Sequence, residues 1–130
     1  MGKKIGEVAL ILGVSVDTLR YYEKINLLGQ VSRSEGGVRF YDNKTISSIR
    51  FIRHAQRMGF SLDEIRDLLD FRQQPTEAKP QVRSMVREKL LELEQQINDL
   101  SQLRDDLQGL TNECESSHDG DCPILKNFEK

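Results

Sequence analysis

The sequence contains no tryptophan, and aromatic residues make up only 6% of its 130 residues. Large aromatic side chains supply much of the buried surface of most cores, so this chain is expected to form only a small one. No apolar run approaches the roughly 18 residues of a membrane span, and no signal peptide opens the chain. These absences predict a cytoplasmic protein without a membrane partner, built as one small domain or a small domain with an extension.

Cysteine is equally scarce, because the chain has only Cys114 and Cys122, both in the polar stretch CESSHDGDC. A segment this polar does not need cysteine for packing. Thiols stay reduced in the cytoplasm, so a structural disulfide is the weaker interpretation of the pair. The two residues therefore indicate a chemical role near the C-terminus.

Positive and negative charges nearly cancel over the whole chain, but they are unevenly distributed between its two halves. The formal net charge is −2. Residues 1–60 contain ten Lys or Arg and five Asp or Glu, whereas residues 61–130 contain nine and sixteen. A basic half joined to an acidic half indicates that one end of the chain meets a polyanion and the other does not.

The N-terminal pattern predicts two short helices joined by a turn. The first helix is expected to stop at Gly13, a typical C-terminal signal, and Ser15 is a good N-cap for the second. Such a pair is a helix-turn-helix. The apolar positions that recur at helical spacing are Ile5, Val8, Ala9 and Leu12, then Val16, Leu19 and Tyr22.

Between residues 28 and 41, Gly36-Gly37 separates two short strand-like segments, which predicts a small hairpin, or wing. Two further helices follow, the first ending near Gly59 and the second capped by Ser61. Their apolar positions are Ile46, Ile49, Ile52, Ala55 and Met58, then Leu62, Ile65, Leu68 and Leu69.

Beyond Pro75 and Pro80 an apolar residue recurs every seven positions, which predicts one helix of about thirty residues with a coiled-coil seam. A lone helix would leave that seam in water, so the repeat predicts a homodimer. The predicted organisation is a winged helix-turn-helix domain over 1–75, a dimerisation helix over 76–113 and a segment with the two cysteines and the tail over 114–130. The residues of the repeat are Val86, Leu93, Leu100 and Leu107.

Basic residues are spread over the second helix, the wing and the helix that follows. At such positions they can neutralise phosphates along a groove of double-stranded DNA. The combination of helix-turn-helix, wing and charge asymmetry indicates a DNA-binding protein more strongly than any single arginine does. The residues concerned are Arg20, Lys24, Arg33, Arg39, Lys44, Arg50, Arg53 and Arg57.

The segments IGEVALILGVSVDTLRYYEKINLL, RSEGGVRFY and RHAQRMGFSLDEIRDLL resemble the MerR family of bacterial transcription regulators. The resemblance runs from Ile5 to about Pro123. It implies a mainly helical fold with a winged helix-turn-helix, a long antiparallel dimerisation helix and an effector site at the end of that helix. It also implies an activator that distorts promoter DNA so that RNA polymerase can use it.

The resemblance assigns DNA contacts to particular residues of this sequence. The second helix would contact the major groove and backbone, and the wing would hold flanking phosphates, while Tyr21 would pack within the domain. The acidic Asp17 repels phosphate but can accept a hydrogen bond from a cytosine amine. The assigned residues are Arg20 and Tyr22 of the second helix, Arg33, Arg39 and Tyr41 of the wing, and Lys4, Ser15 and Asp17.

The chemistry of the cysteine pair favours a soft metal ion. Structural zinc takes four ligands in a tetrahedron, and Cys114 and Cys122 have only His118, Asp119 and Asp121 as additional candidates. Cu(I) is satisfied by two thiolates in a line. Within the family resemblance, the seven-residue interval and the ending DCPI resemble the copper-efflux regulator branch, which implies Cu(I) and also Ag(I) or Au(I) as effectors.

One position departs from that branch. By the resemblance, a residue at the start of the other subunit's dimerisation helix lies over the metal loop, and it is Ser in sensors of monovalent ions and Cys in sensors of divalent ions. Here the position falls on Lys79, which Pro80 is expected to hold in an extended conformation. Arg83 is expected to balance the charge of the bound site.

Three functions remain open from the sequence. The first is a Cu(I)-responsive regulator, or a sensor of another thiophilic metal. The second is a regulator in which Cys114 and Cys122 form a thiol switch for oxidants or electrophiles. The third is a structural DNA-binding protein with inert cysteines. An enzyme is not expected, because Cys122 and His118 are accompanied by no Gly-rich phosphate loop and no evident substrate cleft.

Overall fold

A computed structural model describes residues 2–29, 31–116 and 120–130 of the chain. The chain divides into two compact units, Met1–Arg83 and Ser84–Lys130. The first unit therefore extends beyond the boundary predicted at residue 75 and includes the beginning of the long helix.

The first unit opens with the predicted helix-turn-helix. Helix α1 spans Ile5–Leu12 and ends at Gly13, whose φ of 66° is left-handed and therefore suits glycine. Helix α2 spans Val16–Lys24 and begins after Ser15, whose side chain accepts a hydrogen bond from the Thr18 amide. The predicted end of α1 at Gly13 and the predicted start of α2 after Ser15 are both confirmed. Both could be predicted because capping depends on residues close in sequence.

A three-stranded antiparallel sheet forms the wing, with β1 at Lys3–Lys4, β2 at Ser32–Arg33 and β3 at Arg39–Tyr41. The strand order is β1-β3-β2. The hairpin between β2 and β3 was predicted, and Gly37 turns it with a φ of 81°. Strand β1 was not predicted, because two residues are too few to show the alternation of a strand.

Two further helices complete the first unit. Helix α3 spans Asn43–Arg57 after an Asp42 cap, and helix α4 spans Leu62–Gln73. Ser61 and Glu64 form a reciprocal capping box at the start of α4, with hydrogen bonds of 2.8 and 3.2 Å. The core between these helices, α1, α2 and the sheet is small, as predicted. Its fully buried side chains are Val8, Leu19, Tyr22, Tyr41, Ile49, Ile52 and Ile65.

The long helix α5 spans Pro75–Ser116 and has 42 residues, so it is longer at both ends than predicted. The expected extended conformation of Lys79 is wrong, because Lys79 and Pro80 both lie within α5. A proline biases the preceding residue away from the helix, but that preference is small beside the propagation of a long helix on both sides. Pro80 instead removes one backbone hydrogen bond near the start of α5.

A sixth helix, α6, spans Pro123–Phe128 in the region predicted to be a loop and tail. Cys122 is its N-cap residue and Pro123 its first residue, a position that proline favours. Within the described ranges, none of these helices has the length and apolar character needed to cross a membrane.

Candidate nucleic-acid interface and cysteine pair

Helix α2 presents Arg20 and Asp17 to solvent. The Arg20 side chain is 56% exposed and that of Asp17 is 95% exposed, and their charged atoms lie 3.9 Å apart. An exposed pair at this distance is weak, so the Arg20 guanidinium remains available for an external phosphate. The DNA contacts assigned to both residues therefore remain predictions that this geometry permits.

The two wing arginines share one carboxylate. Arg33 Nη2 donates to Glu23 Oε1 at 2.7 Å, and Arg39 Nε donates to Glu23 Oε2 at 2.6 Å. Glu23 lies in the last turn of α2, so this carboxylate joins the second helix to the wing. A guanidinium has five N–H donors, so each arginine keeps donors for a phosphate, and the DNA contacts assigned to both stay predictions.

Two of the predicted DNA contacts are wrong. Tyr22 is 1% exposed and its hydroxyl donates to the Gln56 side chain at 2.5 Å. Tyr41 is fully buried, with its hydroxyl 3.4 Å from Glu23 Oε2. The core of the first unit encloses both rings, so neither can reach DNA. Tyr21 was expected to pack inside but is 50% exposed.

Lys4 and Ser15 lie at the starts of the two helices. Lys4 is an exposed residue of β1 and the N-cap of α1, and makes no side-chain capping bond there. The Ser15 hydroxyl lies 2.8 Å from that of Thr18, in addition to capping α2. A DNA contact from Ser15 would therefore be made by an atom that already has local partners, whereas Lys4 is free to reach a phosphate.

Burial is the main cause that raises the pKa of Tyr41 to about 12, and the neighbouring Glu23 carboxylate acts in the same direction. The neutral phenol is therefore favoured in the folded state. Its contribution to stability is complete below the unfolded pKa of about 10 and is lost as the pH rises through about 12. A difference of about 2 between the unfolded and folded pKa values corresponds to about 3 kcal/mol of unfolding free energy.

We expect Tyr41→Phe to make the first unit less sensitive to alkali. Between about pH 8 and about pH 11 the variant should lose less free energy of unfolding than the wild type, because the Tyr41 phenol of the wild type ionises in the unfolded state while the folded state keeps it neutral. Urea denaturation at both pH values measures the difference. Tyr21→Phe, which alters an exposed phenol, is the matched control. Equal losses in Tyr41→Phe and the wild type would contradict the expectation.

The cysteine pair lies within the second unit. Cys114 belongs to the final turns of α5, and Cys122 is the N-cap of α6. Both are half-buried, and they form no disulfide. Each thiol shifts the pKa of the other, which indicates that the two side chains lie near each other. The predicted pair is therefore brought together, although Cys114 is helical and was expected in a loop.

The two thiols differ in acidity. The charge of a Cys122 thiolate is the main cause that raises the pKa of Cys114, and partial burial and the Glu115 carboxylate add to it. The Leu125 amide is the main cause that lowers the pKa of Cys122, helped by the Ile124 amide and the Cys114 thiol. No full capping hydrogen bond reaches the Cys122 side chain, so the amides act as nearby dipoles.

The donor set fits a metal ion that accepts two soft ligands. Within residues 2–29, 31–116 and 120–130, no cluster of three or more His, Cys, Asp or Glu side chains could hold a metal. Asp121 pairs with Lys126 at 2.8 Å. His118 and Asp119, the other two additional ligands considered, lie outside the described residues. Two adjacent thiolates suit Cu(I) and do not complete the four-ligand tetrahedron of structural zinc.

Lys79 and Arg83 belong to the first unit, near the start of α5, and both side chains are exposed. Their assigned roles beside the metal loop of another subunit therefore remain predictions. Sequence reasoning missed Glu23, although a single acidic residue in the basic segment LRYYEK was a signal for a charged contact. It also missed Arg66, which donates to the backbone carbonyls of Ile25 and Asn26 at the end of α2.

A helix-turn-helix joined to a wing, with exposed basic side chains on both, defines a DNA-binding regulatory protein. Residues 3–71 match the MerR HTH family regulatory proteins, and residues 46–110 match the family described as MerR, DNA binding. The chain belongs to the MerR family. It is accordingly a DNA-binding transcription regulator and not an enzyme, and the predicted fold class is confirmed.

Similar proteins include several bacterial regulators. The HTH-type transcriptional regulator PA4778 of Pseudomonas aeruginosa is 41% identical over 95% of this chain and 94% of its own. ZntR of Escherichia coli is 38% identical (98% and 92%), and CueR of Yersinia pestis is 36% identical (95% and 89%). The structure of PbrR691 from Ralstonia metallidurans in complex with lead(II) has a TM-score of 0.83 and 31% identity, covering 97% and 98% of the two chains.

Proposed function

We propose that this chain is a metal-responsive transcription regulator whose effector is Cu(I), with Ag(I) or Au(I) as substitutes. The observation that carries the proposal is that two free thiols, Cys114 and Cys122, lie near enough to shift each other's pKa, with no cluster of three metal-binding side chains among the described residues. Soft monovalent ions accept two thiolates, whereas zinc requires further ligands.

Overall similarity does not select the metal. Identity to CueR and to ZntR differs by two percentage points, at 36% and 38%. PbrR691, which is similar over nearly the whole chain, was solved with lead(II). The metal ligands are therefore the better guide to the effector ion. Their softness and their number distinguish between copper, zinc and lead, whereas sequence identity does not.

The regulator acts as a homodimer on double-stranded promoter DNA. Four residues of the α5 repeat, Val86, Leu93, Leu100 and Leu107, are between 39% and 64% exposed in the single chain. A second copy of the chain would cover such a seam. Two copies would present two wings to a near-palindromic operator, and distortion of that DNA would allow RNA polymerase to start transcription.

Lys79 and Arg83 tune the site in this proposal. Two thiolates with one Cu(I) carry a net charge of −1, which is costly to bury without a partner. A lysine from the partner subunit would offset that charge and would repel a divalent centre. Lys79 therefore takes the place of the Ser or Cys that the family resemblance implies, and Arg83 supplies a second positive charge.

The decisive experiment measures metal binding and transcription with the same reduced protein. Under anaerobic conditions, Cu(I), Ag(I), Zn(II) and Pb(II) are each titrated in competition with a chelator of known affinity. We expect one Cu(I) or Ag(I) per subunit to bind, and only these two ions to activate transcription in vitro from a promoter that the protein binds. Tighter binding and activation by Zn(II) or Pb(II) would replace Cu(I) with a divalent effector.

A thiol switch is the second candidate, because the adjacent Cys114 and Cys122 thiols are free. Hydrogen peroxide would convert the two thiols into one disulfide, and the peroxide would be reduced to two molecules of water. Metal-free protein treated with peroxide and assayed for transcription tests this alternative. Activation without metal would favour the switch, whereas activation by Cu(I) alone would exclude it.

A further inference from the structure

The Glu23 carboxylate is the meeting point of three side chains from the wing. Its two oxygens are divided between the two arginines, with Arg33 on Oε1 and Arg39 on Oε2. The Tyr41 hydroxyl also faces Oε2, at 3.4 Å. The Glu23 side chain is only 14% exposed, so these contacts are screened less than those of a surface ion pair.

Arg33 and Arg39 need such a counter-charge. They are directly opposite each other on the antiparallel strands β2 and β3, so their side chains lie on the same face of the sheet. Like charges at directly opposed positions destabilise a strand pair. Strands β2 and β3 have only two and three residues, which leaves little backbone pairing to offset that repulsion.

We propose that Glu23 is a positioning residue for DNA binding: its carboxylate fixes both wing arginines at the end of α2, so that helix and wing reach the DNA in one fixed relationship. This inference rests on the proposed use of Arg33 and Arg39 as phosphate contacts. Glu23 makes no DNA contact in this arrangement and acts through the two guanidinium groups. Tyr41, buried beneath them, adds a third contact to the same carboxylate.

A positioning role for Glu23 and a purely electrostatic role predict opposite changes in DNA affinity when the Glu23 charge is removed. A carboxylate near DNA repels phosphates, so removing its charge should strengthen binding if Glu23 were only a local charge. If Glu23 positions the arginines, removing its charge should weaken binding, because the freed guanidinium groups repel each other and lose their fixed geometry. The direction of the change therefore separates the two explanations.

The test compares Glu23→Gln with the wild type on a short DNA duplex enriched from a random-sequence pool by the wild-type protein. We expect the affinity of Glu23→Gln to fall on the order of tenfold at moderate salt. The slope of log affinity against log salt concentration should become shallower by at least about 1.8, because each lost phosphate contact removes about 0.9 and a dimer loses at least two. Each DNA affinity is calculated from the concentration of protein that is active in binding, so partial unfolding of a variant alone cannot change the slope.

Glu35→Gln is the matched control, because Glu35 is an exposed acid in the turn of the same wing, between Arg33 and Arg39. It removes the same charge without touching the cluster, and its affinity should stay equal to the wild type or rise. A Glu23→Gln variant that binds as tightly as Glu35→Gln, with an unchanged slope, would overturn the proposal. If the wild type itself shows no salt-dependent DNA binding, the proposed function fails and not this inference alone.

Two further variants keep the test decisive if Glu23→Gln folds poorly. Glu23→Asp retains the charge but shortens the side chain by one methylene, so it should also lose affinity, because it cannot reach both arginines. In a background of Arg33→Gln and Arg39→Gln, Glu23→Gln should cause no loss, since the carboxylate then has no arginine to position. Wild-type binding by Glu23→Asp, or an equal loss in both backgrounds, would contradict the positioning role.

Discussion

Cys122→Ser is expected to abolish the proposed copper response of the regulator while leaving its DNA binding intact. The substitution replaces the thiol that amides of Ile124 and Leu125 hold at a lowered pKa, and a hydroxyl is a poor ligand for a soft ion. Cu(I) affinity should fall by at least about a hundredfold. Chelator competition and transcription in vitro measure the two effects, and Cys114→Ser should behave in the same way.

Asp121→Asn is the control for this prediction. It removes the carboxylate next to Cys122, which pairs with Lys126 at 2.8 Å, and keeps both thiols. With two thiolates as the only ligands, the Cu(I) affinity of Asp121→Asn should match the wild type. A large loss of Cu(I) affinity in Asp121→Asn would show that the Asp121 carboxylate is also a ligand, and it would favour a divalent ion as the effector. A copper response that survives in the Cys114→Ser, Cys122→Ser double variant would place the site elsewhere.

The features predicted correctly from the sequence are those that residues close in sequence determine. Ser15 and Ser61 cap their helices with their own side chains, and Gly13 and Gly37 adopt backbone angles that glycine favours. The proximity of Cys114 and Cys122 belongs to the same class, because only seven residues separate them, whereas their use as metal ligands stays a prediction. Short-range chemistry of this kind can be predicted without knowing how the helices pack.

The predictions that failed depend on packing between distant segments. Tyr21 and Tyr22 are adjacent and point about 100° apart around α2. The spacing of Val16, Leu19 and Tyr22 places Tyr22 on the apolar face, but the DNA contact assigned to Tyr22 by the family resemblance conflicts with that pattern. The hydrogen bond between Tyr22 and Gln56 spans 34 residues, and no local pattern in the sequence identifies Gln56 as the partner of this hydroxyl. Glu23 likewise joins residues from three separate segments, which is why its role becomes visible only in three dimensions.

Leu100→Asp is expected to dissociate the homodimer. Leu100 belongs to the seven-residue repeat of α5 and is 64% exposed in the single chain, so in the proposed dimer it lies in an apolar interface. Each subunit would then bury one carboxylate without a partner, at a cost of about 3 kcal/mol or more. Two such sites correspond to a dissociation constant raised by about four orders of magnitude.

Leu91→Asp makes the same substitution nine residues earlier, about 2.5 helical turns away and therefore on the opposite face of α5. Leu91 is 66% exposed in the single chain, nearly the same as Leu100. The two variants therefore differ mainly in which face of α5 carries the new charge. Analytical ultracentrifugation over a range of concentrations should find Leu100→Asp monomeric and Leu91→Asp dimeric. Operator binding should be lost with the dimer, because one subunit engages only half of a two-fold site. If the wild-type protein is monomeric at micromolar concentration, or if both variants dissociate equally, the seven-residue repeat of α5 is not the dimer interface.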